Sequence, residues 1–136
     1  MTPTGILEAA LYVDDLDKAE AFYGEVLGLE NIVRAEGRHA FFRCGEGVLL
    51  LFNAQMTSRP PAPDAPLPVP PHGARGPGHL CFRGTADEIV RLKAHLEAHG
   101  VEIEADFEWP NGGRSIYFRD PAGNSLEMAE PRIWGL

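Results

Sequence analysis

Two carboxylates stand where a carboxylate is expensive. Glu8 precedes Ala9-Ala10-Leu11 in the apolar run from Ile6 to Val13, and Glu127 lies between Leu126 and Met128. A carboxylate taken from water into an apolar strand needs a cation, hydrogen bonds or a metal ion. One imidazole, His79, opens a third apolar run after Gly76-Pro77-Gly78. Two carboxylates and one imidazole suit Mn²⁺, Fe²⁺, Ni²⁺, Co²⁺ or Zn²⁺, and a His with two oxygen ligands resembles a facial triad with open positions. Those positions would take water or a chelating substrate, which the ion polarises as a Lewis acid. Each residue also has a plainer reading. A strand glutamate can face solvent, and a histidine after Gly-Pro-Gly can be structural. His39, His72, His95 and His99 carry less signal, the last two lying four apart near a helix end.

The elements that must position these groups occur twice. Gly37-Arg38-His39-Ala40-Phe41-Phe42-Arg43 and Gly113-Arg114-Ser115-Ile116-Tyr117-Phe118-Arg119 both read G-R-x-x-aromatic-Phe-Arg, at an offset of 76 residues. Internal repeats of this kind decide the architecture. In the first copy, the strand Ile6–Val13 leads to a helix capped by Asp14 or Asp15, with a stripe of Leu16, Ala19, Phe22, Tyr23, Val26 and Leu27 ending at Gly28. In the second, the strand His79–Arg83 leads to a helix capped by Thr85 or Asp87, with Ile89, Leu92 and Leu96 as its stripe and Gly100 as its end. Three strands follow each helix: Leu29–Ala35, His39–Cys44 and Val48–Asn53, then Val101–Phe107, Ser115–Arg119 and Ser125–Ala129. Each copy is therefore a βαβββ module. The offset of 76 pairs Gly47 with Gly123 and Leu51 with Glu127.

Eight of the twelve prolines fall between Arg59 and Gly78, which excludes that stretch from a sheet interior and predicts an extended linker. It can cross its own chain or carry the second module to a partner. The net charge of −8 argues against nucleic acid and gives no attraction to an anionic membrane, so an anionic substrate would need a local basic patch. Cys44 and Cys81 are far apart, and no apolar run is long enough to span a bilayer. The expectation is a soluble cytoplasmic protein.

Three motifs in order carry a resemblance. Ala10-Leu11-Tyr12-Val13-Asp14-Asp15-Leu16 runs into Ala21-Phe22-Tyr23 and Val26-Leu27-Gly28-Leu29. Gly78-His79-Leu80-Cys81-Phe82 follows, then Tyr117-Phe118-Arg119-Asp120-Pro121-Ala122-Gly123-Asn124-Ser125-Leu126-Glu127. These resemble the vicinal oxygen chelate superfamily of glyoxalases, extradiol dioxygenases, fosfomycin-resistance enzymes and bleomycin-binding proteins. The resemblance implies an α+β fold, two βαβββ modules forming a cupped, incomplete barrel around a pocket, as a homodimer. It implies one glyoxalase/dioxygenase-like domain over residues 1–136, with a first module at 5–54, a Pro-rich linker at 55–76 and a second module at 77–130. Carried over by position, the metal ligands are Glu8 and His79 on the first strands and Glu127 on the last strand of the second copy. Leu51 stands at the corresponding place of the first copy.

The reaction stays open between two chemistries. Three ligands match the extradiol dioxygenases, and Tyr117 lies ten residues before Glu127, where those enzymes carry a tyrosine. Two carboxylates already neutralise a divalent ion, however, and so disfavour a catecholate. The charge matches glyoxalases, in which a carboxylate also moves the proton. Glu127, Tyr117 and His39 are the catalytic candidates. Because Phe41 is the repeat partner of Tyr117, an ordinary core aromatic is the competing reading. If Tyr117 faces the site, alternation brings Gly113 and Ser115 with it, and His39 and Phe41 in the first copy. Arg38 and Arg114 read equally as structural partners of carbonyls or carboxylates. The expected function is a metal-dependent enzyme acting on a small substrate held through two oxygens; the alternative is a non-catalytic binding protein of the bleomycin-resistance type.

Overall fold

The computed structural model describes residues 1–136 as two units, Met1–Gly76 and Pro77–Leu136. Each is a βαβββ module with a mixed four-stranded sheet.

In the first unit the strands are β1 (Glu8–Tyr12), β2 (Glu30–Ala35), β3 (His39–Cys44) and β4 (Gly47–Phe52), in the order β1-β4-β3-β2, with β1 parallel to β4. Asp15 caps helix α1 (Leu16–Glu20), which continues through a π-helical turn over Ala21–Val26 that periodicity does not reveal. Leu16, Ala19, Phe22 and Tyr23 pack on the face of the sheet that carries Leu11, Ala40, Phe42, Leu49 and Leu51, all buried. A short helix, α2 (Ala54–Thr57), follows β4.

In the second unit the strands are β5 (His79–Arg83), β6 (Ala105–Glu108), β7 (Arg114–Arg119) and β8 (Ser125–Ala129), in the order β5-β8-β7-β6, with β5 parallel to β8. Helix α3 (Ala86–Ala98) starts at a reciprocal capping box between Thr85 and Glu88, a motif that contributes about 1 kcal/mol. Its Ile89 and Leu96 meet Ile116, Phe118 and Leu126, all fully buried, each such side chain stabilising by roughly 1.5–3 kcal/mol. A 3₁₀ turn, Pro131–Trp134, packs over Gly113, whose φ of 98° and close approach to the Ile133 side chain admit only glycine.

Helix and edge strand are tied by ion pairs of opposite polarity in the two units. Arg34 of β2 reaches Asp17 and Glu20 of the first helix at 2.8 and 2.9 Å. In the second unit Asp106 of β6 takes Lys93 of α3 at 2.7 Å and both Nε and Nη2 of Arg114 at 2.8 Å. Hydrogen bonds from Arg114 and Lys93 hold the Asp106 carboxyl well below the usual carboxylate range. As pH falls, the unfolded chain takes up this proton first, so the stabilisation is complete above about pH 5 and is lost progressively from the ordinary carboxylate pKa of about 3.9 down to the depressed folded value. Asp106→Asn should cost about 1 kcal/mol at pH 7, and urea denaturation at pH 3 should show the gap to the unsubstituted protein closing.

The proline-rich stretch is more than a linker. It folds back within the first unit, where His72 N donates to Thr57 O at 2.9 Å and His72 Nδ1 shares a 2.7 Å hydrogen bond with the Tyr12 hydroxyl.

Candidate metal centre

The open face of the second sheet gathers the polar groups. Alternation and register place His79 and Cys81 of β5, Glu127 of β8, and Ser115 and Tyr117 of β7 on one side, with Cys81 and Tyr117 flanking Glu127 on its two neighbouring strands. Glu127 is 5% exposed, the environment its apolar neighbours predict. The burial is compensated: the Ser115 hydroxyl donates to Oε1 at 2.6 Å and itself accepts from Trp109 Nε1 at 2.8 Å. Oε2 points to His79 Nε2 at 3.3 Å.

His79 is oriented by its other nitrogen. Nδ1 lies 2.9 Å from the carbonyl oxygen of Ser125, which only accepts, so Nδ1 carries the proton and Nε2 is presented to Glu127. Anchoring one imidazole nitrogen on a backbone carbonyl is how protein metal sites aim the other. Two donors each about 2.1 Å from one ion stand ~3.0–3.4 Å apart at octahedral to tetrahedral angles. The 3.3 Å between Nε2 and Oε2 fits that separation, and the half-exposed His79 ring leaves the side facing solvent open.

Tyr117 is not a core aromatic. It sits on the open face with its ring stacked 6.1 Å from His79 and 5.8 Å from Phe107. Burial, then its hydrogen bond to Glu127 and the carboxylate charge, push its phenol up to about 12, so it stays protonated and donates. The Cys81 thiol is likewise pushed up to about 12, by burial and then by Glu127, and both cysteines are free. Ser115 and Trp109 are the participants that sequence reasoning missed. Alternation put Ser115 on the right face, but no signal pointed to Trp109, which reaches in from the loop between β6 and β7.

The counterpart face of the first unit corrects the repeat alignment. Phe41 pairs with Leu50, as Tyr117 pairs with Glu127, and Ala10 pairs with Leu50, as Cys81 pairs with Glu127. Leu50, not Leu51, therefore occupies the position of Glu127. The path from Phe41 to Leu50 is one residue shorter than the equivalent path from Tyr117 to Glu127, which shifts the offset from 76 to 77 past the turn. A slip of one residue moves a side chain to the other face. Leu51 is fully buried under the helix, while Leu50 lines the open side. Leu51→Ala should cost about 2–5 kcal/mol in thermal or urea unfolding and leave metal affinity unchanged. The same register equates Glu8, paired with Val48, and His79, paired with Ser125, as the sequence predicted. Glu8 is exposed at the start of β1, so the desolvation argument made for it does not apply. His39 faces the open side of its own sheet beside Phe41. Within the second unit, no third His, Cys, Asp or Glu side chain joins His79 and Glu127 to form a group of three.

The sequence model of the glyoxalase/bleomycin resistance protein/dioxygenase superfamily matches residues 5–128. The chain belongs to this superfamily. The crystal structure of a lactoylglutathione lyase from Agrobacterium tumefaciens shares 47% of its sequence with this member and overlays it with a TM-score of 0.94, each chain covered over 100%. An integron cassette protein from the mobile metagenome of the Halifax Harbour sewage outfall is 26% identical, with a TM-score of 0.74 over 94% of this chain and 99% of that one. A virulence protein from Salmonella typhimurium is 28% identical, with a TM-score of 0.68 over 96% and 98%. No helix of this superfamily member is long and apolar enough to cross a membrane.

Proposed function

We propose that this protein is a metal-dependent lyase or isomerase of the glyoxalase kind, acting on a small substrate that chelates the ion through two oxygens. The observation that carries this reading is the convergence of His79 Nε2 and Glu127 Oε2 at 3.3 Å, each fixed by a second hydrogen bond on its other heteroatom. The 47% identity to a lactoylglutathione lyase supports the choice of chemistry. His79 and Glu127 would hold the divalent ion, Fe²⁺, Mn²⁺, Ni²⁺, Co²⁺ or Zn²⁺, with Glu8 as the third ligand, in a homodimer. When bound, the ion supplies Lewis-acid polarisation of the substrate oxygens.

The side chains supply the rest. Ser115 occupies Oε1 of Glu127, so Oε2 is the oxygen left for a ligand or a proton. On leaving the ion, Oε2 would take a proton from the carbon next to the substrate carbonyl and return it to the carbonyl carbon, while the hydroxyl proton passes from the first carbon's oxygen to the carbonyl oxygen. The Tyr117 phenol, protonated throughout the physiological range, donates to that carboxylate and keeps its ring against His79. Cys81 stays a thiol and takes no nucleophilic part.

Elemental analysis of purified protein, with an anaerobic assay on the hemithioacetal of methylglyoxal and glutathione, tests this. We expect about one divalent ion per site and turnover without oxygen. Ring cleavage of a catechol under air, with none on the hemithioacetal, would replace it by dioxygenase chemistry. Leu50, an apolar residue in the position of Glu127, favours one other reading, a binding protein without metal; absence of bound metal after soaking, together with inactivity in both assays, would establish that reading instead.

A further inference from the structure

The first unit contains a cavity of about 1080 Å³ that shares only Glu8 with the proposed metal site. Its floor is the open face of the first sheet, where Ser115, Tyr117 and Glu127 of the second unit have aromatic or apolar counterparts and His79 has Glu8. The shared register sets Phe41 where Tyr117 stands, Leu50 where Glu127 stands, Phe52 for Ala129 and His39 for Ser115. The proline-rich segment forms the opposite wall, with Pro60, Pro61, Leu67, Val69, Pro70 and Pro71. It is held there by the Tyr12–His72 hydrogen bond and by His72 packed edge-on to Phe52 at 4.6 Å. The rings of His39 and Phe41 stack at 4.2 Å, and Phe52 meets both edge-on, at 5.8 and 5.3 Å. Offset and edge-on aromatic walls of this kind favour a flat apolar guest.

The charge in this cavity runs against that of the protein. In a chain of net charge −8, its lining holds Arg38 and Arg59 against the single carboxylate of Glu8. Arg38 is the repeat partner of Arg114, yet the two differ in partners. Arg114 is neutralised by Asp106, whereas the strand position equivalent to Asp106 is Arg34, itself committed to the carboxylates of the first helix. No carboxylate pairs with Arg38 or Arg59. The Nδ1 atom of His39 is buried without a hydrogen-bond partner, a costly state in a native protein unless a ligand or water meets it.

We infer that this cavity binds a small anionic molecule with a flat aromatic body, its anionic group set against Arg38 and Arg59 and its ring against Phe41, Phe52 and His39. The site lies wholly within the first unit and shares only Glu8 with the metal-dependent reading, beyond which it goes; it is tested without metal, so that neither result decides the other.

Isothermal titration calorimetry on full-length, chelator-treated protein would compare 1-naphthoate, the uncharged 1-naphthylmethanol and acetate. Naphthoate should bind saturably at one per chain, at least tenfold more tightly than the alcohol or acetate. Its affinity should fall at least fivefold in Arg38→Gln or Arg59→Gln and weaken with added salt, while the alcohol should bind these variants unchanged. Equal binding of naphthoate and alcohol to the unsubstituted protein would overturn the anion assignment without any variant. Equal binding of acetate and naphthoate would overturn the aromatic one, and absence of saturable binding at millimolar naphthoate would overturn both.

Discussion

Glu127→Gln should lower divalent-metal affinity on the order of a hundredfold or more, and lyase turnover with it, while the fold persists. Glutamine keeps the volume and leaves one carbonyl oxygen to accept from Ser115, but it removes the only buried negative charge on this face. Metal ligands must be the deprotonated forms of their side chains, and an amide oxygen carries no charge to offset the ion. His79→Ala should weaken the metal to a similar degree for a different reason. It deletes a neutral nitrogen donor already aimed by Ser125 O, and leaves Glu127 Oε2 facing solvent. Isothermal titration with Zn²⁺ or Mn²⁺ on chelator-treated protein reads both effects directly. Unchanged affinity in both variants would show that the 3.3 Å pair is an ordinary histidine–carboxylate contact. Glu8→Gln completes the series, and an undiminished affinity there would remove Glu8 from the ligand set.

Ser115→Ala should have the second large effect, and it should appear in two measurements at once. The hydroxyl is fully buried and serves both neighbours, donating to Glu127 Oε1 and accepting from Trp109 Nε1. Removing it strands a buried carboxylate oxygen and an indole N–H together, and an unsatisfied buried group costs about 1–3 kcal/mol. The unfolding midpoint should fall accordingly. Freed of its anchor, the carboxylate can rotate away from His79, and loss of an outer-shell partner typically weakens a metal site about 10–100-fold. Trp109→Phe separates the two consequences. It keeps the Ser115–Glu127 bond, so metal affinity should change little while the indole partner is lost. A Ser115→Ala protein of ordinary stability and metal affinity would mean that water replaces the hydroxyl and that the chain Trp109–Ser115–Glu127 positions nothing.

The repeat, the helix caps and most strand bounds were legible because they rest on local chemistry. Thr85 and Glu88 are three apart wherever they fold, and His39–Cys44, His79–Arg83 and Ser125–Ala129 alternate as half-buried strands must. Glu127 was legible for the same reason, as a carboxylate between two apolar neighbours has to be compensated. Glu8 looked similar in the one-dimensional pattern, but it stands at the exposed start of its strand. The π-helical turn at Ala21–Val26 was not legible, because it shifts hydrogen bonding without disturbing the apolar spacing.

By itself the sequence determined that two like modules form, that His79 and Glu127 lie on the first and last strands of the second, and that Glu127 needs partners. Only the tertiary structure decided which partners those are and which residue of the first copy corresponds to Glu127. Register between strands depends on the length of the connection: one residue fewer from Phe41 to Leu50 than from Tyr117 to Glu127 puts Leu50 on the open face and sends Leu51 to the core. Trp109 reaches Ser115 through the path of a loop, and the proline-rich segment meets the first sheet through His72, hydrogen-bonded to Tyr12 and packed on Phe52. Neither contact has a periodic or spacing signal, because both join groups whose separation is set by how the chain turns in space.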